Sequence, residues 1–196
     1  MLMSCNEKDI SLIGFMGCGK SSVGKILATL LPECRLIDLD TYIEEKQGKN
    51  IPEIFNEYGE AAFRRMEREA LEEIFSDKSR PRAILSLGGG TVTSEQCRQL
   101  IRQHTDCFYL RATTDTLLDN LEGHSEGRPM LSSVQPAEAQ STETSSEREA
   151  LRHRIESLMQ TRSPQYLATA NHIIDIDGLS FAQIAEAVEA NSLNIK

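Results

Sequence analysis

The chain has 196 residues, 39% of them hydrophobic and 26% charged, the size and composition of about one soluble globular domain. A net charge of −9 and a pI near 5.0 exclude a broad basic face, and with it a nucleic-acid partner. No apolar run is long enough for a membrane-spanning helix, and Met1 to Asp9 is too polar for a secretory signal, so a cytoplasmic protein is expected.

The first apolar run, Ile10–Phe15, predicts a strand and leads into Gly14-Phe15-Met16-Gly17-Cys18-Gly19-Lys20-Ser21. That segment fits the phosphate-loop pattern G-x-x-x-x-G-K-[ST] without a mismatch, and the helix-compatible run Val23–Ala28 completes the strand–loop–helix context it requires. Glycines let the backbone curl until its N–H groups face phosphate oxygens, and the following helix adds the positive end of its dipole. Gly17, Cys18, Gly19, Lys20, Ser21 and Ser22 are therefore the candidate residues for binding a nucleoside triphosphate. Lys20 reaches the outer phosphates, and the Ser21 hydroxyl is a ligand for Mg²⁺.

The second strand, Arg35–Leu39, is expected to run into Asp38-Leu39-Asp40. Residues two apart on a strand share a side, so both carboxylates would face the cleft at the strand's carboxyl end. Asp38 suits Mg²⁺, directly or through water, and Asp40 suits a substrate hydroxyl whose proton must leave. Two solvated aspartates opening a turn are the alternative. The stretch Ile51–Phe75 reads as an amphipathic helix with Ile54, Phe55, Tyr58, Phe63, Met66, Ala70 and Ile74 inward. Arg64 falls at the edge of that face with Glu67 one turn on, which fits either a surface ion pair or a guanidinium aimed at a carboxylate.

The third strand, Ala83–Leu87, ends in Gly88-Gly89-Gly90, a turn that permits close approach of a ligand to main-chain donors. Thr93-x-x-Gln96 resembles a capping box for a helix with Cys97, Leu100 and Ile101, and a fourth strand follows at Cys107–Leu110. Gly127-Arg128-Pro129 opens a segment, Ser132–Glu147, too poor in large apolar residues to pack alone. It reads as a mobile lid at about 122–148, with Arg128 either placed to swing onto phosphates or an ordinary surface arginine. A helix with Leu151, Ile155, Leu158 and Met159 on one face carries Arg162, and Pro164 is expected to mark its boundary. The fifth strand, His172–Ile176, precedes a helix capped by Ser180-x-x-Gln183 with Phe181, Ile184 and Val188 inward. Strands alternating with helices predict an α/β fold, a parallel sheet covered on both faces within one domain of 196 residues.

Cys5, Cys18, Cys34, Cys97 and Cys107 are odd in number and lack C-x-x-C spacing, which fits reduced thiols. The four histidines show no metal-ligand spacing. A small GTPase would need an Asn-Lys-x-Asp motif, and the chain has none; Asp175-x-x-Gly178 follows the last strand, far from where a switch would act.

In order and spacing, these segments resemble the shikimate kinase family. They are the phosphate loop with Ser22, Asp38-Leu39-Asp40, Ile51-x-x-Ile-Phe-x-x-x-Gly-Glu-x-x-Phe-Arg-x-x-Glu67, Gly88–Gly90, Arg128-Pro-Met-Leu and Arg162-x-x-x-Tyr166. The resemblance implies a P-loop three-layer αβα sandwich of the nucleoside-monophosphate-kinase type, strand order 2-3-1-4-5. It implies transfer of the ATP γ-phosphoryl group to the 3-hydroxyl of shikimate, with Mg²⁺, by a monomer in aromatic amino-acid biosynthesis. Carried over residue by residue, Lys20, Asp40 and Arg128 are catalytic, and Arg128 also meets ATP. Asp40, Arg64, Gly88, Gly89, Gly90 and Arg162 bind shikimate, while Ser21 and Asp38 serve the metal. A family arginine that stacks on adenine has no counterpart near Leu121. A gluconate-directed kinase of the same fold is the alternative.

Overall fold

The computed structural model describes residues 8–121 and 143–192. Five parallel strands form one sheet: β1 (Asp9–Ile13), β2 (Arg35–Asp38), β3 (Ala83–Ser86), β4 (Thr105–Arg111) and β5 (His172–Asp175), in the order β2-β3-β1-β4-β5. The five strands lie where the apolar runs predicted them. Central β1 is buried along its whole length, as a strand covered on both faces must be.

Alternation along the strands divides the core in two. Ile10, Leu12, Phe108 and Leu110 face α1 (Lys20–Leu30), α5 (Thr114–Leu121) and α7 (Phe181–Ser192). Ile13, Leu85, Cys107 and Tyr109 face α2 (Leu39–Gln47), α3 (Ile51–Ser76) and α4 (Glu95–His104). The long α6 (Glu143–Thr169) gives Ile155 to the first cluster and Tyr166 to the second.

Several boundaries differ from expectation. β2 stops at Asp38, and Asp40 lies in the first turn of α2, because the Asp38 side chain caps that helix by accepting from the Thr41 N–H. α4 is capped by Ser94 rather than Thr93, which belongs to a short 3-10 turn, Thr91–Thr93. α3 is broken at Gly59 (φ 76, ψ 170), and Tyr58 is exposed beside Lys49 instead of buried. Pro164 does not end a helix; α6 continues through it, held on either side by buried Arg162 and Tyr166. The box at Ser180 and Gln183 forms as expected, with Gln183 Oε1 accepting from the Ser180 N–H and Ser180 Oγ from the Gln183 N–H. Phe181, however, is 43% exposed and not part of the core.

Candidate active site

The carboxyl ends of the strands open onto a cavity of about 570 Å³. Its floor is the phosphate loop. Gly17 and Gly19 take positive φ angles of 84° and 87°, and Gly19 begins α1. Lys20 is nearly buried, its Nζ donating to the Gly14 and Phe15 carbonyls at 2.9 and 3.0 Å, so the ammonium is held against the loop it serves. Cys18 is buried beneath the loop, and Ser22 lines the cavity with Ser21.

Asp38 and Asp40 both line this cavity, though through a strand end and a helix turn rather than one strand face. Ser21 Oγ donates to Asp38 Oδ2 at 2.8 Å and lies 3.2 Å from Ser86 Oγ. Burial, with the nearby Glu67 and Asp38 carboxylates, pushes the Asp40 carboxyl up to about 6, against the opposing pull of Lys20. Among the described residues no cluster of three or more His, Cys, Asp or Glu could hold a metal by itself.

The Gly88–Gly90 turn is crowded from three sides. A Cβ at Gly88 would meet Asp40 Oδ1 at 3.0 Å and Glu67 Oε1 at 3.2 Å. A Cβ at Gly90 would strike the Arg64 guanidinium, so any larger residue there would displace that group from its present position. Arg162 Nη1 donates to the Gly89 carbonyl at 3.4 Å, and the Tyr166 hydroxyl donates to the same oxygen. Gly88 and Gly89 line the cavity, while Arg64 lies against Gly90 and Arg162 reaches the Gly89 carbonyl.

Arg64 and Glu67 are not a surface pair. Glu67 is fully buried, accepting from Arg64 Nη1 at 2.7 Å and from the Thr91 hydroxyl; Arg64 Nη2 donates to Glu60 at 3.0 Å. The Nε–H of Arg64 is buried with no acceptor among the described residues, a donor that calls for a partner. Burial raises the Glu67 carboxyl against the pull of Arg64 and Thr91.

The structure thus brings together Lys20, Ser21, Asp38, Asp40, Arg64, Gly88, Gly89, Gly90 and Arg162. Arg128 lies outside the described residues, as does most of the segment expected to form a lid. Ser86, Thr91, Tyr166 and Asn120 were given no role by sequence reasoning. Ser86 and Thr91 flank the glycine turn, so their position at a strand's carboxyl end was a usable signal. Asn120, whose Nδ2 donates to the Gly17 carbonyl at 2.9 Å, gave none.

A family model described as shikimate kinase matches residues 16–191. A shikimate kinase of Dictyoglomus turgidum is 34% identical over 180 residues, spanning 91% of this chain and 93% of that protein. One of Chlorobaculum tepidum is 40% identical over 158 residues, 81% of this chain and 76% of its own. Among solved structures, shikimate kinase from Acinetobacter baumannii in complex with shikimate superposes with a TM-score of 0.80 at 29% identity, covering 96% of each chain.

Proposed function

Because the chain belongs to the shikimate kinase family, we propose that Asp40, Arg64 and Arg162 take shikimate while the phosphate loop takes ATP. The reaction is transfer of the ATP γ-phosphoryl group to the 3-hydroxyl of shikimate, giving shikimate 3-phosphate and ADP. The family match favours this over a gluconate-directed kinase.

The observation that carries the residue assignment is the convergence of two guanidinium groups on the Gly89–Gly90 turn, beside Asp40, which lines the same cavity as Lys20. Arg64 and Arg162 bind the shikimate carboxylate, the buried Arg64 Nε–H supplying a free donor. This local anion site offsets the acidity of the whole chain. Gly88, Gly89 and Gly90 let the substrate approach the main chain, and Tyr166 fixes the Gly89 carbonyl.

Asp40 accepts a hydrogen bond from the 3-hydroxyl and takes its proton as the oxygen attacks the γ-phosphorus. A carboxyl held at about 6 is ionised near neutral pH yet basic enough for that transfer. Lys20 gives up its carbonyl partners for phosphate oxygens and meets the charge that builds there. Arg128, whose role rests on sequence alone, would add a second cation. The Ser21 hydroxyl points its proton at Asp38, which leaves its lone pairs for a cation, and the donors around it are hard oxygens. Ser21, with Asp38 directly or through water, would therefore hold Mg²⁺ together with the phosphates. Bound there, Mg²⁺ neutralises phosphate charge.

A coupled assay offering shikimate, gluconate and nucleoside monophosphates tests substrate choice; turnover of either alternative at a rate equal to shikimate's would sink the reading. Arg64→Ala and Arg162→Ala test the roles. Each should weaken shikimate binding by roughly 2–4 kcal/mol, the cost of a lost charged pair, while ATP affinity holds.

A further inference from the structure

A phosphate loop works by presenting N–H groups, so a carbonyl turned into it carries the wrong partial charge for an anion. The Gly17–Cys18 peptide is where that choice is made. Gly17 takes a φ of 84°, in the left-handed region that glycine enters without penalty, so the plane of the next peptide can turn unless something holds it. The peptide is trans, which puts its carbonyl and its N–H on opposite sides. The Cys18 N–H points into the loop, its nitrogen 3.3 Å from the Phe15 carbonyl oxygen. The Gly17 carbonyl points outward to the last turn of α5, where it accepts from Asn120 Nδ2 at 2.9 Å.

Asn120 is held at that point by its own helix. Leu117, Leu118 and Leu121 anchor α5 in the core, while Asn120 is exposed and lines the cavity. Leu121 adds a second contact to the same glycine, since a Cβ at Gly17 would lie 2.9 Å from Leu121 Cγ. The end of α5 therefore meets the loop at one residue, with an apolar side chain against its α-carbon and an amide on its oxygen. A carbonyl oxygen can only accept, so neither a hydrophobic side chain nor a carboxylate could replace the Asn120 amide. Helix propensity does not account for an asparagine here, because alanine would serve the helix better.

We propose that Asn120 is a positioning residue for the phosphoryl donor: it holds the Gly17–Cys18 peptide so that an N–H, and not a carbonyl oxygen, faces the triphosphate. The proposal rests on the reading of the loop as the ATP site. Turned over, the same peptide would bring the Gly17 oxygen against the Phe15 carbonyl, inside a loop that must receive phosphate oxygens. Lys20 Nζ, which donates to the Phe15 carbonyl at 3.0 Å, would then gain an acceptor that competes with phosphate. Asn120 needs no contact with the nucleotide to have this effect, because it acts through the loop.

Asn120→Ala removes the amide at an exposed helical position, so the variant should fold with a melting temperature within about 2 °C of the parent's. In the free protein, hydrogen exchange at the buried Cys18 N–H should quicken severalfold, while the Val23 N–H, which donates to the Gly19 carbonyl, keeps its rate. The Kd values for ADP and for inorganic tripolyphosphate, which carries no base, should both rise about fivefold, the worth of one net hydrogen bond. The KM for ATP should follow, and the KM for shikimate should stay within about 1.5-fold of the parent. Weakening of ADP alone would mean that the side chain touches the nucleoside, and would overturn the proposal, as would unchanged Kd values or unchanged exchange at Cys18. If the parent bound ADP and tripolyphosphate but left shikimate unphosphorylated, the kinase reading would fail, and the exchange and binding measurements would still decide the role of Asn120.

Discussion

Asp40 couples the chemistry to the stability of the fold. Burial and the carboxylates of Glu67 and Asp38 hold it at about 6, so its active, ionised form is the one the fold disfavours. For activity, kcat/KM for shikimate should fall about tenfold per pH unit below about 6 and be level above 7. Asp40→Asn should lose that acid limb together with roughly 10²- to 10⁴-fold in rate. The stability consequence has the opposite sign. A carboxyl whose folded value lies above its unfolded one stabilises the fold fully below the ordinary aspartate range, and that contribution is lost as pH rises through about 6. Asn, neutral at every pH, should therefore exceed the parent in unfolding free energy by roughly 1–3 kcal/mol at pH 8 and match it near pH 4. Urea denaturation of both proteins at the two pH values measures this. An asparagine variant less stable at pH 8 would mean the carboxylate is structurally required.

At the scale of elements, helix existence was legible and helix interruption was not. α3 opens as its sequence suggests, with Asn50 and Glu53 closing a capping box and Pro52 in the first turn. Apolar spacing runs on through Gly59 without a break, so periodicity alone reads one straight helix. The backbone at Gly59 lies in a region that essentially only glycine adopts, and it re-aims the second half of α3. That half carries Arg64 and Glu67, and the break leaves Tyr58 in solvent. Pro164 shows the reverse error. A local rule predicted a boundary, but the packing of Arg162 and Tyr166 onto Gly89 holds the helix together across it. Gly59→Ala isolates the first effect, since an added Cβ meets nothing within 4 Å and only backbone strain remains. The variant should lose about 1–3 kcal/mol of stability in thermal unfolding. Its KM for shikimate should rise more than its KM for ATP, because the strained segment carries an acceptor-site arginine and no phosphate-loop residue. A shift confined to ATP would break the link between the kink and Arg64.

At the scale of the molecule, the division of labour follows from strand order. The phosphate loop, the aspartates, the glycine turn and both arginines were legible because each sits in a short motif. Their assembly depends on long-range packing that no motif encodes, and so does the burial that turns Arg64–Glu67 from a surface pair into a fixed one. The same is true of the clamp at the amino end of the sheet. Arg80 donates to both carboxylate oxygens of Asp9, and Asp9 Oδ1 accepts from the Ala83 N–H at 2.8 Å, tying the starts of β1 and β3 together. This pair lies at the strands' amino ends, away from every proposed substrate contact, so it separates stability from function. Arg80→Ala leaves the nearly buried Asp9 carboxylate without its cation, which should cost about 3 kcal/mol. For a chain of this length that lowers the melting temperature by roughly 6–12 °C. Well below that temperature, the KM values for shikimate and ATP should stay within twofold of the parent. If they rose with the loss of stability, the two ends of β1 and β3 would be coupled, and the acceptor pocket could not be the locally pinned structure that Glu67, Gly89 and Tyr166 imply.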